Sequence, residues 1–192
     1  MKNFRLLPIL LLGVLMPPAM ADDLTIAARA TASDLIQRLG AVLKKEMAAG
    51  GPDNAIAVCR DIAPELVGEL SRKTGGRVSR VSLKTRNPLL GQPDAWEQEV
   101  LAEFDRQAAH GAKPETLERS EVVSEPQGRF FRYMKAIPVQ PLCLTCHGTT
   151  DSIPDSVKAR LAADYPHDRA TGYALGQIRG AATIKRSMED AR

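Results

Sequence analysis

The feature that most limits what this chain can fold around is the run Cys143-Leu144-Thr145-Cys146-His147, inside the stretch "VQPLCLTCHG". C-x-x-C-H is the attachment sequence for c-type haem. Two cysteines three apart can each form a thioether to one of the two porphyrin vinyl groups. The histidine that follows is then carried under the iron as its proximal ligand. A fold built on this segment must leave a slot for a large, flat, apolar group beside one short turn. Cys143 and Cys146 are thus the expected thioether anchors of one covalent haem c, and His147 is the expected iron ligand.

Other readings of the same five residues are weaker. A thioredoxin-like redox pair prefers the start of a helix after a strand, and "CLTCHGTTDSIP" does not read as a helix start. A structural zinc site needs a fourth ligand, commonly from a second Cys or His pair, which this sequence lacks. A disulfide between Cys143 and Cys146 would have no use for His147.

Haem c attachment implies export, and the N-terminus carries a matching signal. "MKNFRLLPILLLGVLMPPAMA" has a basic start (Lys2, Arg5), an apolar run from Leu6 to Met16, and a small-residue cleavage site at Ala19-Met20-Ala21. The run is short for a membrane span. No cysteine follows it to take a lipid. Residues 1–21 therefore read as a signal peptide and 22–192 as a single c-type haem domain, periplasmic and without a membrane span. The formal net charge of +3 falls almost to zero once Lys2 and Arg5 are removed. That balance excludes the basic excess expected of a nucleic-acid or anionic-membrane binder.

Hydrophobic periodicity gives a mixed layout. Apolar residues from Leu24 to Met47 follow helical spacing, and "AAGGPDN" breaks it. A second helical pattern runs from Ala55 to Leu70, with Ala55, Ile56, Cys59, Ile62, Ala63, Leu66 and Leu70 on one face. Pro64 predicts a kink or restart just after Cys59, because it cannot donate to the carbonyl of Arg60. A strand pattern in "GGRVSRVSLKTRNP" includes Val78 and Leu83. Asp94 and Glu97 predict a capping box opening a third helix, with Trp96, Val100, Leu101 and Phe104 turned inward. "EVVSEPQGRFFRYMKAIPV" reads as a hairpin turning at Glu125–Gly128. A short helix is expected near Pro154 and a last strand in "GQIRGAATIKRS". The sum is an α+β domain with an antiparallel sheet.

The third cysteine, Cys59, needs a job. A haem held by His147 has a sixth iron position, for which the sequence offers Met47, Met134, Met188, His110, His167 and Cys59. Position alone leaves these open, since a thiol on a core helix is often just a small hydrophobe. Met47 and His110 sit near polar helix ends and Met188 in a charged tail.

From Ala27 to Ile184 the chain resembles a family of single-haem c-type domains first seen in a cyanobacterial photosystem-associated haem protein. The resemblance rests on "AIAVCRDIAP", "VSLKTRNPLLGQPDAWEQEVL", "FFRYMKAIPVQPLCLTCHG" and "YPHDRATGYALGQIRGAATI", in that order. It implies a PAS-like antiparallel sheet with long N-terminal helices packed on it. Such domains occur alone or as the periplasmic sensor part of signalling proteins. The resemblance also implies that Cys59 is the distal haem ligand opposite His147, in its A-x-x-x-C-x-x-x-A-P setting of Ala55, Ala63 and Pro64.

His/Cys ligation implies a low-potential, six-coordinate iron, which suits sensing or electron transfer better than oxidative catalysis. No acid–base pair accompanies the motif, so an enzyme is not expected. The favoured expectation is a redox or small-gas sensor (CO or NO) acting through a redox partner or membrane signalling protein. The alternative is a small periplasmic electron-transfer cytochrome c. Arg77, Arg80, Lys84, Arg86 and Arg179 are cations that haem propionates could meet, although charges along a strand are more often solvated. Tyr165 and Tyr173 take no assigned role.

Overall fold

The computed structural model describes residues 18–189. The expected signal peptide therefore lies outside the described residues, except for Pro18–Ala21, with which the first helix begins. That helix, α1 (Pro18–Ala57), is interrupted at Gly50 and Gly51, the latter at φ 69°, which places Pro52 at the restart rather than inside a turn it would break. A π-helical turn (Val58–Ile62) joins α1 to α2 (Ala63–Thr74). The chain continues as β1 (Arg77–Val81), α3 (Pro88–Gly91), α4 (Ala95–Ala109), β2 (Glu118–Glu125) and β3 (Gly128–Pro138). It ends with α5 (Leu144–His147), α6 (Asp155–Asp164) and β4 (Ile178–Ser187).

The four strands form one antiparallel sheet in the order β1-β4-β3-β2. The expected hairpin is present, with Glu125 paired to Gly128 across the turn. The last strand, β4, is central between β1 and β3. Its small residues answer to crowding: a Cβ on Gly180 would meet the Val81 carbonyl oxygen at 2.3 Å.

Alternation along the strands buries both faces of the sheet. On one face Val78, Phe131, Tyr133, Ala182 and Ile184 pack against Ala28, Ala32 and Leu35 of α1 and Leu66 and Leu70 of α2. Alanines at two of α1's contact positions let that helix approach closely. On the other face Val81, Met134, Ala136, Ile178 and Ala181 pack against Val100, Leu101 and Phe104 of α4. A third cluster of Ile56, Ile153, Val157, Leu161 and Tyr165 joins α1 to α6, with Cys146 against it.

The capping box of α4 forms as the sequence predicts, but Glu97 does more than cap. Its carboxylate is fully buried, accepting from Thr183 Oγ1 (2.9 Å) on β4 and Arg77 Nη2 (3.1 Å) on β1. Arg132 of β3 lies 3.3 Å away and is itself 2 % exposed. Trp96 is only partly buried, its ring under the Arg132 guanidinium.

Three local expectations fail. Ile62 is exposed rather than on the buried face of its helix, because the extra residue of the π turn rotates the phase after Cys59. Leu83 lies outside β1 and is exposed, since Ser82 turns its N–H to the Gly91 carbonyl and the chain leaves the sheet. The "CLTCH" segment does form a helical turn, one of four residues closed by Gly148 N–H on the Leu144 carbonyl at 2.9 Å.

Candidate functional site

The cysteine–histidine segment sits where the chain leaves β3. Pro141 starts a 3₁₀ turn through Cys143, and α5 follows directly, so Cys143 and Cys146 lie one helical turn apart. Gly148 closes the segment tightly: a Cβ there would lie 2.6 Å from both the Leu144 carbonyl oxygen and Ser152 Oγ. The loop before β4 is zipped onto this turn. Gly172 N–H donates to the Gly148 carbonyl (2.7 Å) and Tyr173 N–H to that of His147 (3.0 Å).

The His147 ring is held on both sides. Nδ1 lies 2.6 Å from the Ala170 carbonyl, which can only accept, so Nδ1 carries the proton. Nε2 lies 3.3 Å from Arg179 Nε–H, which can only donate, so Nε2 offers its lone pair. The imidazole is therefore neutral. Burial, then the Arg179 and Arg86 guanidiniums, hold its pKa well below the usual range. A neutral imidazole with one nitrogen tied to a backbone carbonyl is how proteins prepare a metal ligand.

Cys59 is carried on the π turn, and Pro64 accounts for it. Ala63 gives its N–H to the Val58 carbonyl, five residues back, and Pro64 has none to give. Cys59 is half-buried with a free thiol, as are Cys143 and Cys146. The Cys146 thiol is pushed up by burial, opposed by Arg86, with smaller contributions from Cys59 and Cys143. The Tyr165 hydroxyl is pushed up to about 12 by burial and then by Cys59. Thiols more than eighty positions apart in the sequence thus share one electrostatic neighbourhood.

All four expected site residues, Cys59, Cys143, Cys146 and His147, line one cavity of about 780 Å³ between α1, the π turn, β1, the end of β3 and the start of β4. That volume falls inside the roughly 300–1,000 Å³ usual for cofactor sites. Ile36, Leu39, Leu43, Val67, Ile137 and Leu142 supply apolar walls. Among the described residues, every charged one lining it is a cation, namely Lys44, Arg80, Arg86 and Arg179. Such a cavity suits a flat apolar ligand carrying carboxylates. Two thiols on one turn beside a prepared imidazole are the groups of the C-x-x-C-H haem c attachment signature, and the Cys59 sulfur shares their cavity.

Of the other sequence candidates, Met47 also lines the cavity, because α1 runs along it beyond the point where its sequence turns polar. Met134 is buried under α4 on the opposite face of the sheet, and Met188 packs on the α1 side of the core. His110 caps α4 with Nδ1 on the Arg106 carbonyl, and His167 is exposed. Arg80, Arg86 and Arg179 reach the cavity. Arg77 is engaged by Glu97, and Lys84 lies 4.7 Å from the centre of the Tyr173 ring. Tyr165 lines the cavity, while Tyr173 stands edge-on to His147 at 6.3 Å. Asp168, which anchors Arg86, escaped sequence reading, for nothing local ties it to residues more than eighty positions earlier.

A family model described as Tll0287-like matches residues 19–187. Among solved structures, the crystal structure of the cyanobacterial heme-protein Tll0287 aligns with a TM-score of 0.64 at 24% sequence identity. The alignment covers 90% of this chain and 98% of that chain. At that identity the likeness speaks for the fold. No curated protein matches the sequence.

Proposed function

The chain belongs to the Tll0287-like family, and from that premise we propose that it is an exported, periplasmic protein binding one covalent haem c, with His147 and Cys59 as axial ligands. It works as a redox or small-gas sensor module through a separate partner. The observation that carries this reading is the convergence of Cys143, Cys146, His147 and Cys59 on one cavity with cationic and apolar walls. The relative of known structure is described as a heme-protein, which supports the same assignment.

Bound haem would supply a one-electron couple and a metal site at which CO or NO could compete with Cys59. Cys143 and Cys146 anchor the ring, His147 presents its Nε2 lone pair, and Cys59 approaches from the π turn. Lys44 and Arg80 are cavity cations that could meet the propionates, and Arg179 could do so by giving up its hydrogen bond to His147 Nε2. The sensor reading draws on the PAS-like resemblance and on the π turn. A π turn is a local irregularity common at functional sites, and it would be the segment to respond if Cys59 left the metal.

A second reading, electron transfer, is favoured by Met47 on the same cavity wall, since His/Met is a cytochrome c pair. Denaturing mass spectrometry of exported protein should show one haem adduct on a chain cleaved after Ala21. A mass matching the bare chain would sink the haem reading. Cys59→Ala should keep the adduct, lose the thiolate-ligated ferric spectrum and raise the potential, while Met47→Ala leaves all three unchanged. The reverse pattern makes the protein an electron carrier.

A further inference from the structure

Resting on the haem reading, we propose that Arg86 and Asp168 are a positioning pair that sets the orientation of His147 towards iron and the seat of the adjacent Cys146. Four hydrogen bonds close a ring through them. Arg86 Nη2 donates to the Cys146 carbonyl oxygen at 2.6 Å, and Arg86 Nε donates to Asp168 Oδ2 at 3.0 Å. Asp168 Oδ1 accepts from Ala170 N–H at 2.7 Å, and the Ala170 carbonyl accepts from His147 Nδ1 at 2.6 Å. The peptide bond between Cys146 and His147 completes the circuit. Arg169 N–H on the Thr85 carbonyl, at 2.9 Å, ties the same two loops beside it.

The need for such a ring follows from local structure. His147 ends a helix of four residues, too short to hold a ring plane against torque. At Nδ1 the ring is oriented by a loop carbonyl, that of Ala170, and a loop carbonyl is as fixed as the loop. Asp168 fixes that loop by taking the N–H of the very residue whose carbonyl receives His147. Arg86 is the group that holds Asp168, and both are largely buried, with side chains 8% and 11% exposed. A forked guanidinium suits the task because it reaches a carboxylate and a carbonyl at once in one plane. A lysine ammonium at the end of a flexible stem holds neither in a fixed direction.

Partners of a metal-bound histidine raise its basicity and fix its ring, and their loss commonly weakens the metal site about 10–100-fold. Weakening His147 tenfold towards ferric relative to ferrous iron reads as a rise in midpoint potential of about 59 mV for a one-electron couple.

The test uses exported, haem-loaded protein and the variants Arg86→Lys, Arg86→Gln, Asp168→Asn and Arg86→Gln/Asp168→Asn. Positioning predicts that all four keep one haem per chain, and that each broadens or splits the ferric EPR signal and raises the potential. The double variant should do no more than either of its singles, since each already opens the ring. Charge alone predicts otherwise. Arg86→Gln and Asp168→Asn would then shift the potential in opposite directions, the double would return to wild type, and Arg86→Lys would be silent. That pattern overturns the proposal, as does a lowered melting temperature with an unchanged EPR signal. Should the variants fold poorly, the wild type decides. The His147 Nδ1 proton of the ferrous protein must exchange slowly in NMR, and fast exchange refutes the ring. Wild-type protein without haem would instead refute the functional reading on which the pair rests.

Discussion

Replacing Glu97 by alanine should unseat α4 from the sheet without touching the cavity. The carboxylate is fully buried and gathers donors from three elements: Thr183 on β4, Arg77 on β1 and the Asp94 backbone N–H at the start of α4. Arg132 on β3 adds a contact at 3.3 Å. Removing one partner of a buried ionic network costs about 3–5 kcal/mol, because the charges left behind stay desolvated. Arg132 keeps Asp94 (2.6 Å) and Glu125 (3.0 Å), which pulls the figure towards the low end. Loss of the reciprocal half of the capping box adds about 1 kcal/mol. A net loss of about 3–5 kcal/mol is a large share of the roughly 5–15 kcal/mol of a typical domain. It corresponds to a fall in melting temperature of about 6–20 °C. Urea unfolding should show the midpoint drop at unchanged m, with the haem spectrum intact because α4 covers the opposite face from the cavity. A loss under about 1 kcal/mol would refute the idea that this carboxylate couples α4 to the sheet. Glu97→Leu/Arg132→Met is the companion measurement, expected to recover much of the loss by removing both buried charges.

Cys143→Ala/Cys146→Ala should be poorly folded as well as colourless, because covalent haem would complete the cavity walls. Native-like circular dichroism and melting in that variant would make the group peripheral. Gly180→Ala pushes a methyl to within 2.3 Å of the Val81 carbonyl and 3.2 Å of Ser82 Cβ, which forces β1 from β4 at the cavity wall. A loss of about 1–3 kcal/mol is expected in chemical denaturation. The Glu118 carboxyl is held below its usual range by Arg29, against some burial and with help from Tyr133. A depressed folded pKa means stability that is present above the unfolded value and lost as pH falls through the folded one. Wild type should therefore lose stability below about pH 4.5, and Glu118→Gln should lose less over the same interval, measured by urea midpoints.

What the amino-acid sequence determined by itself is whatever depends on residues within a turn of one another. The breaker at Gly50-Gly51, the Asp94/Glu97 box, the Glu125–Gly128 turn and the irregularity before Pro64 all appear where local chemistry puts them. The grouping of Cys143, Cys146 and His147 on one turn is of the same kind. Tertiary structure decided everything that needed a partner far along the chain. Periodicity put Ile62 inside, but one inserted residue in the π turn turned it outward. Polar neighbours made Met47 look like a helix end, yet α1 continues along the cavity and carries it to the wall. Glu97 could be read as a cap but not as a buried hub, since its partners on β1, β3 and β4 lie 20 to 86 positions away. Arg86 and Asp168, 82 positions apart, carry no mutual signal at all. A hydrogen bond between i and i+4 is written into local spacing, whereas one across the sheet exists only after packing has brought its ends together.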